Sequence, residues 1–420
     1  MRNSTEIPQG YKDSPLGVIP KDWQVKRLGD VVDIMSGESP SLFDLAPIGL
    51  YPYVKVDDLN NCSKYQSRSR EYAKIAVNAV KRGSTIFPKR GAAIMNNKVR
   101  LADCDILMDS NMMAIMPNTA YLDEEFLYYR IIYEKLYRIA DTSTIPQINN
   151  KHIIPYKIPL PSLSEQKRIV NLLNTWDNAI EKQTELIEKL RLRKRGLMQQ
   201  LLMGKKRLPG FTSKWKTVIL GEVCSWLRNV TFSREQLNGT NGKCQNVHYG
   251  DVLIKYQSIL NCENVELPYV NNDIELKSTY DFVKDGDIIM SDTAEDETVG
   301  KACEAINVGN RIILAGLHTM LIRPKPGIFA PCFLGYCINS EAYHKQLLPL
   351  IQGIKVCSLG KQSVQNTILA IPSMKEQTEI VTILSSCDQE IQSAIKKKTE
   401  FQSQKRGLMQ QLLTGKKRIK

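Results

Sequence analysis

The residues most able to do chemistry are a carboxylate cluster, a Glu-x-Lys pair, four histidines and one short glycine loop. Asp292, Glu295, Asp296 and Glu297 crowd four carboxylates into six residues, the composition of a divalent-cation loop. They carry no spaced pattern of oxygen ligands, so they read as a solvated acidic loop. Glu275-Leu-Lys277 has the spacing of a metal-dependent nuclease, but its close acidic neighbour is Asp273 alone. Gly239-Thr-Asn-Gly-Lys243 is too short to cradle a phosphate and reads as a turn. His152, His248, His318 and His344 form no HExxH, no paired ligand spacing and no partner for a GxSxG serine. No dinucleotide fingerprint, no NPPY-like or DPPY-like tetrapeptide and no glycine loop suited to S-adenosylmethionine occur. The chain is therefore expected to carry no catalytic residue, no metal ligand and no cofactor. Its 10 cysteines include no CxxC, which excludes a zinc ribbon and a secreted disulfide framework and marks them as buried or incidental thiols.

What remains is binding chemistry. Lysine and arginine total 57 against 44 acidic residues, a formal charge of +13 that favours a polyanionic partner. Residues 163–208 hold 11 cations against 5 acids and residues 373–420 hold 10 against 5, so the rest of the chain is nearly neutral. Any affinity of that remainder for DNA must come from local clusters. In the first half these are Lys64, Arg68 and Arg70, then Lys89 and Arg90, then Asn96, Asn97, Lys98 and Arg100, which mix cations for phosphates with amides able to read base edges. In the second half they are sparser: Arg228, Arg234, Lys243, His248 and Lys301. The cations at the helix ends (Arg191, Arg193, Lys194, Arg195, Lys205, Lys206, Arg207 and Lys405, Arg406, Lys416, Lys417, Arg418) are expected to need balancing by a DNA backbone or an acidic partner.

The elements that must position these groups repeat once. Lys194-Arg-Gly-Leu-Met-Gln-Gln-Leu-Leu-Met-Gly-Lys-Lys-Arg207 recurs at Lys405–Arg418 with one difference, at an offset of 211. The same offset aligns Pro161, Ser162, Glu165, Gln166 and Ile169 with Pro372, Ser373, Glu376, Gln377 and Ile380. Each copy reads as one long helix opened by a capping box, Ser162 with Glu165 and Ser373 with Glu376. An alternating four-three spacing marks a seam at Ile169, Leu173, Trp176, Ile180, Ile187, Leu190, Leu197 and Leu201. The second seam is Ile380, Leu384, Ile391, Phe401, Leu408 and Leu412, with Cys387 where Trp176 stands. Two such stripes are expected to pair antiparallel, each helix about 60 Å long. The segments before them are expected to be α+β domains. Strands are predicted near Ala93–Met95, Met112–Met116, Asp251–Lys255, Asp287–Met290 and Thr319–Ile322, and helices over Glu124–Ile139 and Ile328–Leu347. The expected organisation is 1–161, 162–207, 208–372 and 373–420, a pseudo-twofold internal repeat.

The Leu160-Pro-Ser-Leu-Ser-Glu-Gln-Lys-Arg-Ile169 helix start, the Arg195-Gly-Leu-Met-Gln-Gln-Leu-Leu202 helix end, their second copies and the Gly10-to-Trp23 opening resemble the specificity subunit of type I restriction-modification systems. The resemblance spans the chain and is specific in the helices. It implies a non-catalytic subunit with two globular target recognition domains, each reading one half of a bipartite DNA target, and a helical pair that sets the spacer and docks the modification subunits. Partners would be double-stranded DNA, two modification (methyltransferase) subunits and restriction (translocase/nuclease) subunits. S-adenosylmethionine, ATP and magnesium would belong to those partners. With no apolar stretch near 20 residues and no apolar leader at the N-terminus, a cytoplasmic location is expected. Two other readings are a standalone nucleoid or regulatory DNA-binding protein, which the near-neutral globular parts disfavour, and a self-contained nuclease or methyltransferase, which lacks every motif it needs.

Overall fold

The structure is a computed structural model that describes residues 7–75 and 78–419. The outermost residues of the expected first and last segments lie outside it. The chain forms two compact units, residues 1–184 with 396–420 and residues 185–395. The division falls within both long helices, Leu163–Leu201 and Met374–Leu412, so each unit combines a globular segment with a stretch of each helix. The two helices have 39 residues each and begin and end at the expected offset of 211.

In the first unit a five-stranded sheet runs Val32–Ser36, Met112–Pro117, Thr85–Pro88, Arg100–Ala102, Tyr65–Gln66; all neighbours are antiparallel except the last pair. The second unit repeats this order and sense with Cys224–Leu227, Thr319–Pro324, Ile288–Ser291, Ala302–Ile306 and Ile259–Asn261. Both units also carry a four-stranded sheet of matching topology. The strand leading into each long helix pairs with a strand that follows a buried or half-buried tryptophan: Lys157–Leu160 with Gln24–Arg27, and Ile368–Ile371 with Lys216–Ile219.

The seams are real packing surfaces. Ile169 and Leu173 join Trp23, Leu28, Phe126 and Leu412 in the core of the first unit, while Leu201, Ile380 and Leu384 join Phe333 and Tyr336 in that of the second. Contacts within the first unit descend from Glu165 with Arg418 to Asp177 with Lys405, which makes the paired stretches antiparallel; Arg207 with Glu376 and Lys194 with Asp388 do the same in the second. Trp176 packs edge-on against Phe401, ring centroids 5.8 Å apart, and Cys387 takes the Trp176 position as a buried thiol.

Several expected elements differ. Ala93–Met95 is a single 3-10 turn, Ala92–Ile94, because Gly91 at φ 86° swings the chain out of the strand. The expected strand Asp251–Lys255 is instead the end of a helix, Tyr249–Ile254, with Lys255 as its C-cap and its first turn capped by the His248 ring; an apolar run this short does not distinguish strand from helix. The helix over Glu124–Ile139 breaks at Lys135, which adopts φ 65°. Ile328–Leu347 becomes Phe333–Ile338 and Glu341–Leu347, split where Ser340 caps the second piece. All ten cysteines are free and buried or half-buried.

Candidate nucleic-acid interface

Half of each capping box forms. The Ser162 and Ser373 hydroxyls accept from the amides of Glu165 and Glu376, both at 3.4 Å. The carboxylates do not turn back to the cap, because both are buried against arginines from the end of the other helical segment. Glu376 accepts from Arg207 at 2.7 and 2.8 Å, and Glu165 accepts from Arg418 and, at 3.0 Å, from the Trp23 indole. Arg418 also donates twice to Asp22 at 2.8 Å. Beside each glutamate, Gln166 and Gln377 tie the helix start to the globular segment: their amide oxygens accept from the Asp123 and Ala330 amides at 2.8 Å.

Farther along, Lys194 donates to Asp388 and lies 5.2 Å from the Tyr336 ring centre, while the Tyr336 hydroxyl donates to Asp388 at 2.8 Å. The first unit repeats the triad with Lys405, Asp177 and Tyr129. The expectation that the cations at the helix ends need an external counter-charge is therefore corrected for Arg193, Lys194, Arg207, Lys405 and Arg418, which pair with carboxylates of their own unit. Arg191 pairs with Glu188 in its own helix. Lys206, Arg406, Lys416 and Lys417 are exposed.

The candidate DNA-reading residues divide the same way. Lys64 is buried: its ammonium donates to Glu125 and Tyr129 at 3.1 Å and to Asn174 on the long helix. Burial pulls the Lys64 pKa below the ordinary lysine value. Burial works against the Glu125 carboxylate too, but hydrogen bonds from Tyr65, Asn174 and Lys64 hold its pKa below normal. The Arg100 guanidinium is spent on the carbonyls of Leu59, Cys62 and Val99 at 2.7–2.9 Å. Asn97, at φ 50°, donates to the Ile132 carbonyl and accepts from the Leu136 amide, so it splices a turn to a broken helix. His248 is a buried cap, and Lys301 donates to the Leu253 carbonyl at 2.6 Å. In all five the side chain makes polar contacts inside its own unit.

The others face water wholly or in part. Arg68 and Arg70 line a cleft of about 470 Å³ formed by residues 61–70, with Arg70 leaning on Asp58. Arg90 and Asn96 are exposed, and Lys89 and Lys98 half-buried. In the second unit Arg228 and Lys243 are exposed, whereas Arg234 forks onto the buried Asp251 at 2.7 and 3.0 Å. Sequence reasoning missed Glu125, Asn174, Asp177 and Asp388. A signal existed for the two aspartates: they recur at the offset of 211, and an antiparallel seam sets them against Lys405 and Lys194. Among the described residues, no group of three or more His, Cys, Asp or Glu is placed to hold a metal ion, and no helix is long and apolar enough to cross a membrane.

A family described as the type I restriction modification DNA specificity domain matches residues 20–191 and again 212–400. The type I restriction enzyme MjaVIII specificity subunit of Methanocaldococcus jannaschii is 24% identical, over 96% of this chain and 94% of that one. The putative MjaX specificity subunit of the same organism is also 24% identical, over 98% and 97%. Among solved structures, a chain from work on the assembly and conformational transition of the type I R-M system superposes with a TM-score of 0.59 at 18% identity, over 94% of this chain and 99% of that one. The S subunit from M. genitalium gives 0.53 at 15%, over 93% and 96%. With one family domain matched in each half and the solved folds shared, this chain belongs to the type I restriction-modification DNA specificity family, as a non-catalytic specificity subunit.

Proposed function

We propose that each unit reads one half of a bipartite duplex DNA site, that the helical pair sets the unread spacer, and that the chain docks two modification subunits and, through them, restriction subunits. S-adenosylmethionine then belongs to the modification subunits, and ATP and magnesium to the restriction subunits. The observation that carries this is one sheet topology bearing different side chains at the same place: the strand Thr85–Pro88 runs on into Lys89 and Arg90, and its counterpart Ile288–Ser291 into Asp292 and Thr293. A common scaffold with exchanged side chains is what reading two unlike half-sites requires. Arg68, Lys89, Arg90, Asn96 and Lys98 are the readers proposed for one half, and Arg228 and Lys243 for the other.

The test is to map N6-methyladenine in a genome carrying this chain with its modification partners, which returns both half-sites and the spacer. Seven residues inserted after Thr184 and seven after Ile395 keep both seams in phase. They add about 10 Å of helix, close to three base pairs at about 3.4 Å each. A longer spacer with unchanged halves is expected. An unchanged spacer, or altered half-site bases, overturns the ruler.

A further inference from the structure

The repeat at 211 residues reaches farther back in structure than in sequence. Asn150–Ile153 and Lys361–Gln365 are short helices beginning at that offset, and Lys157–Leu160 and Ile368–Ile371 are strands in the same register. Before them, Asp141 to Gln147 and Gln352 to Ser358 each close a tight hairpin through paired backbone hydrogen bonds of 2.8–2.9 Å. Each base is fastened to its unit's sheet, by Gly91 to Pro146 and Ile148 to Lys89 in one, and by Leu359 to Asp292 in the other. The tips project as anchored arms, with residues 142–145 and 353–356 exposed.

Side-chain identity is lost over residues 141–153 and 352–364, but apolar character persists there at three aligned pairs. Ile148 with Leu359 and Ile153 with Val364 are buried, which core packing explains. Ile145 with Val356 is not: these side chains are 56% and 58% exposed, and Ile354 beside Val356 is 99% exposed. Nothing in either unit gains from an apolar tip held in water, so its partner lies outside. That partner meets both arms, because the arm is the same in units whose other surfaces differ. Charge then separates the two candidates. The first tip, 142–145, carries no charge and has Arg90 and Asp141 of opposite sign at its base, whereas the second tip carries Lys355 beside a strand that runs on into Glu295, Asp296 and Glu297, a net negative surround. A polyanion gains little at the first arm and is repelled by the net charge around the second; a surface that reads apolar shape would accept both.

We propose that the hairpins 141–147 and 352–358 are twin docking arms, each inserting its apolar tip (Ile145; Ile354 with Val356) into the same apolar pocket on one of two copies of a single protein partner. Resting on the function proposed above, that partner is the modification subunit. The full chain is titrated with purified modification subunit and the stoichiometry read by native mass spectrometry, for wild type, Ile145→Asp, Ile354→Asp/Val356→Asp and the combination. Wild type is expected to take two copies. Each arm variant should weaken one copy by about tenfold or more, and the combination should weaken both. Because the tips are exposed, thermal unfolding should not change, and specific DNA binding by the free chain should persist. Equal affinity of all variants overturns the arms alone, as does loss of DNA binding with assembly intact, which would place the tips on the duplex as wedges. A wild-type chain that takes no modification subunit overturns the functional proposal itself.

Discussion

The junction between long helix and recognition sheet is built twice and filled differently. In the first unit Lys64, at the head of the parallel edge strand, reaches Glu125, Tyr129 and Asn174 and closes the space with a buried polar network. At the matching strand of the second unit stands Ser258, Cys332 replaces Glu125, and a cleft of about 1040 Å³ opens beside Ser258, Lys194 and Asp388, with Arg191, Arg195, Lys301, Glu341 and His344 also in its lining. The carboxylate has moved. Glu304 lies on the sheet strand at the position of Leu101 and accepts from the amides of Cys332 and Gly335. Gly335 replaces Tyr128 in that helix, and a Cβ there would meet the Glu304 Cβ and the Ser258 carbonyl at 2.7 Å. The lesson is that the helical triads, Lys405–Asp177–Tyr129 and Lys194–Asp388–Tyr336, are the fixed part, while the layer between triad and sheet can be repacked around a lysine or a glutamate.

Lys64→Met should break the comparison most strongly. It strands Glu125 in a largely buried site and should cost about 3–5 kcal/mol, read as faster amide exchange in the helix Glu124–Glu134. Lys194→Met, beside the open cleft where water can solvate Asp388, should cost about 1–2 kcal/mol. Equal losses would mean that the cleft is not an energetic difference between the units. Gly335→Ala should destabilise the second unit by about 1–3 kcal/mol through overpacking, seen as a drop in its thermal transition with the first unit unmoved.

Asn97→Ala should cost about 1–3 kcal/mol, because it leaves the Ile132 carbonyl and the Leu136 amide unpartnered. Asn96→Ala, at an exposed position, should leave stability unchanged and relax one half-site in methylation mapping. The reverse pattern would restore Asn97 as a base reader.

The smallest effect is a pH dependence confined to the second unit. Burial pushes the Glu304 carboxyl up from 4.5 to about 7, against the pull of the Gly335 and Cys332 amides. With the folded pKa above the unfolded one, its contribution to stability is fully present below about pH 4.5 and is lost as pH rises through about 7. Leu101, its counterpart, does not titrate. Amide exchange in Ala302–Ile306 should therefore quicken from pH 5 to 8, after correction for intrinsic exchange and relative to Arg100–Ala102, and Glu304→Gln should flatten the difference. A difference that survives in Glu304→Gln would assign the titration to another group.

The sequence by itself determined the elements whose signal is local or periodic. The heptad stripes, the serine caps and the offset of 211 located both long helices, because each turn of a helix repeats the same environment and leaves it written in the spacing. It also determined the family, carried by those same helices. The tertiary structure alone decided which cations are free. Asn97 and Arg100 carry the same donors as Asn96 and Arg90, and Lys64 the same as Lys98; only long-range contacts with Ile132, Leu59 and Glu125 consume them. Burial likewise turned the second half of each capping box outward to an arginine far along the chain, Glu165 to Arg418 and Glu376 to Arg207. A charge or amide in sequence is only a capacity for hydrogen bonding; whether protein or DNA satisfies it depends on what the fold brings within about 3 Å.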